Sequence, residues 1–341
     1  MKHFFANFIA MFFISKKLRR RIRNKIMKKE KSYNPQEEKL LNIEQQISEK
    51  QHILDTLEQK YKYLSLKASW LTSNKGILPL PGRFNEYDLI FCIGASCHGT
   101  TMLKHFDLRR FSTPFDYTAG IAPDGWLTNP DIYRDTRFKE KVKALCDNFK
   151  DWLEPENFKY VSQYINSSVS HLQVVNSKTG IRYIHEFPAN QDIMQHMPEF
   201  IEKNIRRIKY MYDAIDKSQK ILIIWISGIW DQTVVLEKNV PSKDIKWAVK
   251  NMKNMYPDKI FDFVFFEPDG TKERFEYEKI EIAPGAFRIK SNHFLKDFEY
   301  NFVHTAPDYF PHIHVISEML DNIKLSKNAF KLPDNIIDEG F

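Results

Sequence analysis

A run of seven residues, Ile221 to Ser227 (ILIIWIS), restricts the fold of this chain more than any other stretch. It holds no polar residue before its last position, so a strand built from it has no face to turn to water. Gly228 ends it. Such a strand belongs inside a sheet that is covered on both sides. The remaining pattern agrees. Apolar segments at 89–93, 181–187, 261–266 and 275–282 read as strands, the last as an alternating edge strand. Helical spacing of apolar residues marks 138–153, 197–215 and 243–255, and a closing helix is expected over 311–325. Residues 158–175 read as irregular strand material. Strands interleaved with helices predict an α/β domain, a layered sheet with helices on both faces. The 27 Phe and 15 Tyr among 341 residues suffice to fill its core.

Charge separates the N-terminal region from this domain. The net charge is +7, yet residues 1–31 alone carry eleven Lys or Arg and a single acid, Glu30. The rest is therefore mildly acidic, and the overall pI does not argue for nucleic-acid binding by the domain. Residues 3–14 (HFFANFIAMFFI) are apolar but too short to span a bilayer, which takes about 20 residues. Charge follows the apolar run, the reverse of a secretory leader. Residues 1–33 read as an aromatic, basic arm suited to an anionic membrane surface, with 3–25 as the contacting part. Between 36 and 71 a heptad seam runs through Leu40, Ile43, Ile47, Lys50, Leu54, Leu57, Tyr61 and Leu64. Its spacing of three and four predicts a coiled-coil-like helix, joining a second copy or a partner helix through 40–64. The Pro- and Gly-bearing stretch 72–86 reads as a linker, 87–330 as the domain, and 331–341 as a tail. Three cysteines, Cys92, Cys97 and Cys146, form no disulfide framework and point to a reducing, cytoplasmic setting, on or near the inner face of a membrane.

Chemistry concentrates at 87–117 (YDLIFCIGASCHGTTMLKHFDLRRFSTPFDY). A strand stops at Gly94, presents Ser96, Cys97 and His98, and passes through Gly99 into a helix. The positive end of a helix lowers a thiol pKa, which makes Cys97 a candidate nucleophile. Its base would be His185, late in the strand IRYIHEF, with His98 as a neighbour in sequence. Ser96 is the competing nucleophile. Ser227, Trp230 and Asp231 stand at or beyond the end of the strand ILIIWIS, as further residues capable of chemistry. Arg109 and Arg110 suit an anionic substrate group, or pair with Asp116 and hold its loop. Arg206 and Arg207 lie on a helix and read as exposed or salt-bridged, worth little individually. His304, His312 and His314 lack a carboxylate or cysteine at ligand spacing, so no metal is expected. No P-loop or dinucleotide fingerprint occurs, and no cofactor is expected.

The runs YDLIFCIGASC, LRRFSTPFDY, IRYIHEFP and IRRIKYMYDAI followed by KILIIWIS resemble, in order and spacing over 87–230, a bacterial family assigned as papain-like cysteine peptidases. The resemblance implies a thiol-dependent hydrolase or acyl transferase with Cys97 as nucleophile and His185 as base. It further implies an acid to orient the imidazole, Asp192 or Asp231. Two departures stand out: the C-G-[SA]-C-[WY] surround is replaced by G-A-S-C-H, and no glutamine lies just upstream of Cys97, where Phe91, Cys92 and Ile93 stand. The Ser or Cys after a first strand is also similar to SGNH-type and G-S-C-F-A hydrolases. That resemblance implies an esterase or acyltransferase of envelope polysaccharides, although Asp308 and His312 miss the D-x-x-H spacing by one residue. A third expectation, from another class, is a non-catalytic scaffold using the helix and arm at a membrane.

Overall fold

The computed structural model describes residues 78–94, 97–116, 118–119, 137–165, 170–227, 239–269, 271–272, 276–291 and 314–332, with scattered positions between 43 and 68. The chain divides into two units, Met1–Tyr61 and Lys62–Phe341. Every described position from 43 to 68 is helical. The arm lies outside the described residues, as do most of the positions expected to form the tail.

The second unit is mixed α/β. Its strands are β1 (Glu86–Tyr87), β2 (Leu89–Cys92), β3 (Thr118–Ala119), β4 (Phe158–Ile165), β5 (Ser170–Asn176), β6 (Arg182–Pro188), β7 (Lys220–Ile226), β8 (Ile260–Pro268), β9 (Tyr277–Ala283), β10 (Ala286–Ser291) and β11 (Lys324–Leu325). The helices are α1 (Cys97–His105), α2 (Phe138–Cys146), α3 (Ile193–Lys217), α4 (Ser242–Met255) and α5 (His314–Asp321).

The central sheet has the order β2-β7-β8-β10-β9. Its first four strands are parallel, and β9 is an antiparallel edge. The run ILIIWIS is β7 and lies between β2 and β8, buried along nearly its whole length. Its side chains alternate between two cores. Ile221, Ile223 and Trp225 pack with residues of α2, α3 and α4. Leu222, Ile224 and Ile226 pack with Met102 and Leu103 of α1 and with Ile316, Met319 and Leu320 of α5. Each such aliphatic side chain contributes roughly 1.5–3 kcal/mol on burial, which explains why the run tolerates no charge.

A second sheet, β3-β6-β5-β4, is antiparallel throughout. The strand IRYIHEF therefore does not join the parallel sheet; it is β6, paired with β5 across the turn at 177–181. A connection that short cannot make a parallel crossover. Residues 158–175, expected to be irregular, supply β4 and most of β5. The two sheets share one core, since Phe158, Tyr183 and Phe187 pack in the same cluster as Phe200 of α3 and Trp225 of β7.

The described part of the stretch 72–86 packs on the domain. From Leu78, which is buried, it straps across the domain. Arg83 Nε meets Asp262 Oδ1 at 2.6 Å, and Tyr87 donates its hydroxyl to Asp262 Oδ2 at 2.7 Å. Burial and the Asp262 charge push the Tyr87 phenol far above its ordinary range. Among the described residues no helix is long and apolar enough to cross a membrane.

Candidate functional site

The site is built from the carboxyl end of β2. All four residues of β2 are buried, and the strand runs into Gly94. A side chain at Gly94 would crowd Cys92 Sγ at 3.0 Å and the Ile226 amide nitrogen at 3.2 Å. The Gly94 amide donates to Cys92 Sγ at 3.2 Å, which turns the chain. Helix α1 starts at Cys97, and its first turn holds no acidic residue. Gly99 lets this turn press onto β2, because a Cβ there would overlap Cys92 Sγ. The G-x-x-C-x-G spacing is thus a packing requirement that fixes where residue 97 falls. The chain leaves β2 for α1 on one face of the sheet, whereas after β7 it next forms α4 on the other. Neighbouring parallel strands whose connections diverge in this way open a crevice at their carboxyl ends.

The loop after α1 is organised by Asp116, which is buried. Its carboxylate accepts Thr100 Oγ1 at 2.8 Å, the Thr113 amide at 2.8 Å and Thr113 Oγ1 at 2.9 Å. Arg109 Nη2 lies 3.1 Å from Asp116 Oδ2, and Arg109 also donates to the Phe111 carbonyl and to Ser112 Oγ. Of the two roles the sequence left open for Arg109, these contacts match the structural one. Arg110 turns the other way and meets Asp107 at 3.3 Å.

Two buried polar groups at the same edge of the sheet escaped sequence reasoning. Lys141 of α2 is fully buried and donates to the Gly94 carbonyl at 2.7 Å, with its ammonium 5.6 Å from the Trp225 ring centroid. The signal was present: position 141 falls on the apolar stripe of Phe138, Val142 and Leu145. Trp225 in turn donates Nε1 to Ser227 Oγ at 2.7 Å. At the end of β8, Glu267 is also fully buried. It accepts the Val240 amide at 3.2 Å and approaches Arg288 Nε at 2.7 Å. Burial outweighs the arginine and pushes its carboxyl up to about 7.

His185 lies within β6 and is partly exposed. Its ring stands edge-on to His171 of β5, with centroids 5.5 Å apart. Burial pulls His171 below its ordinary pKa, with Glu186 acting against it. Glu186 itself turns into α3, where it pairs with Arg207 at 3.0 Å and with Lys203. Of the two expected states, both arginines are salt-bridged; the Arg207 pair is buried, whereas Arg206 pairs nearer the surface with Glu202. Asp192 caps α3 through the Met194 amide at 2.8 Å, so it is occupied as a helix cap. Strand β3 pairs antiparallel with β6, Thr118 facing Tyr183 and Ala119 facing Arg182. Asp116 is held to Thr100, three residues along α1 from Cys97.

Ser96, Asp231, His304, Asp308 and His312 lie outside the described residues, as do the side chains of Cys97, His98 and His314. Among the described residues no group of three or more His, Cys, Asp or Glu is placed to hold a metal ion. In comparisons with known proteins, no family model matches the chain, and no curated protein or solved structure matches it.

Proposed function

We propose that this chain is a thiol-dependent hydrolase or acyl transferase of the papain-like cysteine peptidase type, with Cys97 as nucleophile and His185 as base. The observation that carries the reading is the position of Cys97. It is the first residue of α1, directly beyond the carboxyl end of a buried parallel strand, where the connections of β2 and β7 diverge. The helix terminus favours the thiolate, and its free amides favour the oxyanion. In the reaction the imidazole takes the thiol proton and the thiolate attacks an acyl carbon. The tetrahedral oxyanion collapses, and the leaving group departs with the proton from the imidazolium. Water or an acceptor, deprotonated by the same imidazole, then cleaves the thioester. Asp116 acts here as a positioning residue, since it ties the loop after α1 to the first turns of the helix.

The test is the pH dependence of iodoacetamide labelling, read peptide by peptide. Cys97 should reach half its limiting rate well below pH 8.5, and His185→Ala should move that midpoint upward. Cys146 is the internal control, because burial and Asp147 raise its thiol pKa. A Cys97 profile with the midpoint of an ordinary thiol, about 8.5, ends the proposal. Loss of ester hydrolysis in Ser96→Ala but not in Cys97→Ala would move the chemistry to Ser96. The proposal extends to the arm: residues 1–33 hold the enzyme on an anionic membrane surface at the cytoplasmic side, and 87–330 carry the chemistry.

A further inference from the structure

The described helical positions between 43 and 68 leave the seam bare. Ile43, Ile47, Leu54, Leu57 and Tyr61, five of six consecutive core positions of the heptad pattern, are between 46% and 74% exposed. Lys50, the sixth, is exposed too. Ile53 beside the seam adds a further bare apolar side chain, 57% exposed. A stripe of this length and spacing has its natural complement in an identical stripe. We infer that this seam pairs two copies of the chain as a parallel, in-register, two-stranded coiled coil. The inference is independent of the chemistry at Cys97.

Charge selects the orientation. In the sequence Leu40, Ile47, Leu54 and Tyr61 take the a positions, and Ile43, Lys50, Leu57 and Leu64 the d positions. Flanking g and e positions then hold Lys39, Gln46, Ile53 and Lys60, and Glu44, Gln51, Glu58 and Ser65. A parallel pair sets Lys39 against the other copy's Glu44, and Gln46 against its Gln51, with no like charges opposed. The antiparallel pair that superposes the same seam sets Glu44 against the other copy's Glu58, twice. It also buries Lys50 against Leu54 in two separate layers. In the parallel pair the two Lys50 side chains share one layer, where their long stems let both ammoniums reach water. A single polar core position of this kind penalises shifted registers, since each shift faces a lysine with a hydrocarbon layer. Lys50 thus sets register and orientation at some loss of affinity.

The experiment uses the full chain. Light scattering after size exclusion at micromolar concentration should return twice the chain mass, and Leu54→Asp/Leu57→Asp should return the chain mass. Because both leucines are exposed, the melting transition of the α/β unit should not move, which separates dissociation from misfolding. Lys50→Cys places a thiol at the shared layer. In a glutathione redox buffer, disulfide exchange should then join two chains through residue 50, with each disulfide formed reducing one oxidised glutathione. A monomer at these concentrations overturns the inference. So does a trimer. So does a dimer in which Lys50→Cys fails to cross-link, because an antiparallel pair holds those positions apart.

Discussion

Gly99 shows how a single missing side chain seats the start of a helix on a strand. A methyl group there has nowhere to go but into Cys92 Sγ, so Gly99→Ala forces α1 away from β2. Overpacking of this kind costs about 1–3 kcal/mol. Urea denaturation should show that loss, and Cys92→Ala should return part of it, making the double substitution less than additive. Strict additivity would mean that α1 is not seated on that thiol. Glu267 gives a second signature. Its carboxyl titrates near 7 in the fold against an ordinary value near 4.5, so the folded state binds the extra proton between those pH values. Stability therefore falls as pH rises from about 4.5 to about 7, by roughly 3 kcal/mol at most. Glu267→Gln should flatten that slope in urea melts at pH 5 and 7.5; an unchanged slope would place the titration elsewhere.

Among the elements, α3 and β6 depend on one ion pair. Burial raises the Glu186 carboxyl, but Arg207 and Lys203 outweigh it and hold the pKa below normal. This group stabilises the fold above its unfolded pKa, and the contribution is lost as pH falls through the folded value, the opposite sense to Glu267. Glu186→Ala leaves Arg207 buried without its partner and should cost about 3–5 kcal/mol. Glu186→Leu combined with Arg207→Met should recover most of the loss in the same denaturation assay, because a fitted apolar pair needs no desolvation. These elements also mark what could be read in advance. Strands β2, β7 and β8 announced themselves as mostly apolar runs, since a doubly covered strand admits an acid only where a buried partner meets it, as at Asp262 and Glu267 of β8. The antiparallel sheet did not, because Lys159, Ser162, Gln163 and Gln173 break the pattern and its pairing follows from turn length. The same holds for the site. Cys97 was visible from its strand-glycine-helix surround, and Asp116 as a partner for Arg109. For Lys141 the apolar stripe it shares with Phe138 and Val142 was the only signal, and Glu267 had none, because what makes both notable is burial beside groups distant in sequence, Gly94 and Arg288.

At the scale of the whole molecule, charge and fold are divided between regions of the chain. The basic surplus sits in residues 1–31, whereas the described α/β unit carries its buried charges mostly as pairs. The proposed membrane role therefore belongs to the arm alone. Flotation with vesicles containing phosphatidylserine should carry the full chain and leave behind a chain lacking residues 1–33. Pure phosphatidylcholine vesicles should carry little of either, because each basic residue adds about 1 kcal/mol near an anionic surface. Equal flotation of both chains would remove the arm from the proposal. Strand β1 pairs in parallel with β11, and the strap from Leu78 lies in the core that α5 completes. On the ribosome this sets an order of events. The strand that leads to Cys97 is among the first parts of the unit to be made, yet Ile316, Met319 and Leu320, which cover one of its faces, are among the last. Until they emerge, the nascent chain displays a bare apolar face and an unpaired strand edge, the surfaces that chaperones bind and that aggregate when synthesis stalls. The turn that carries Cys97, made early in the chain, thus waits for residues more than 200 positions downstream before it has a folded surround.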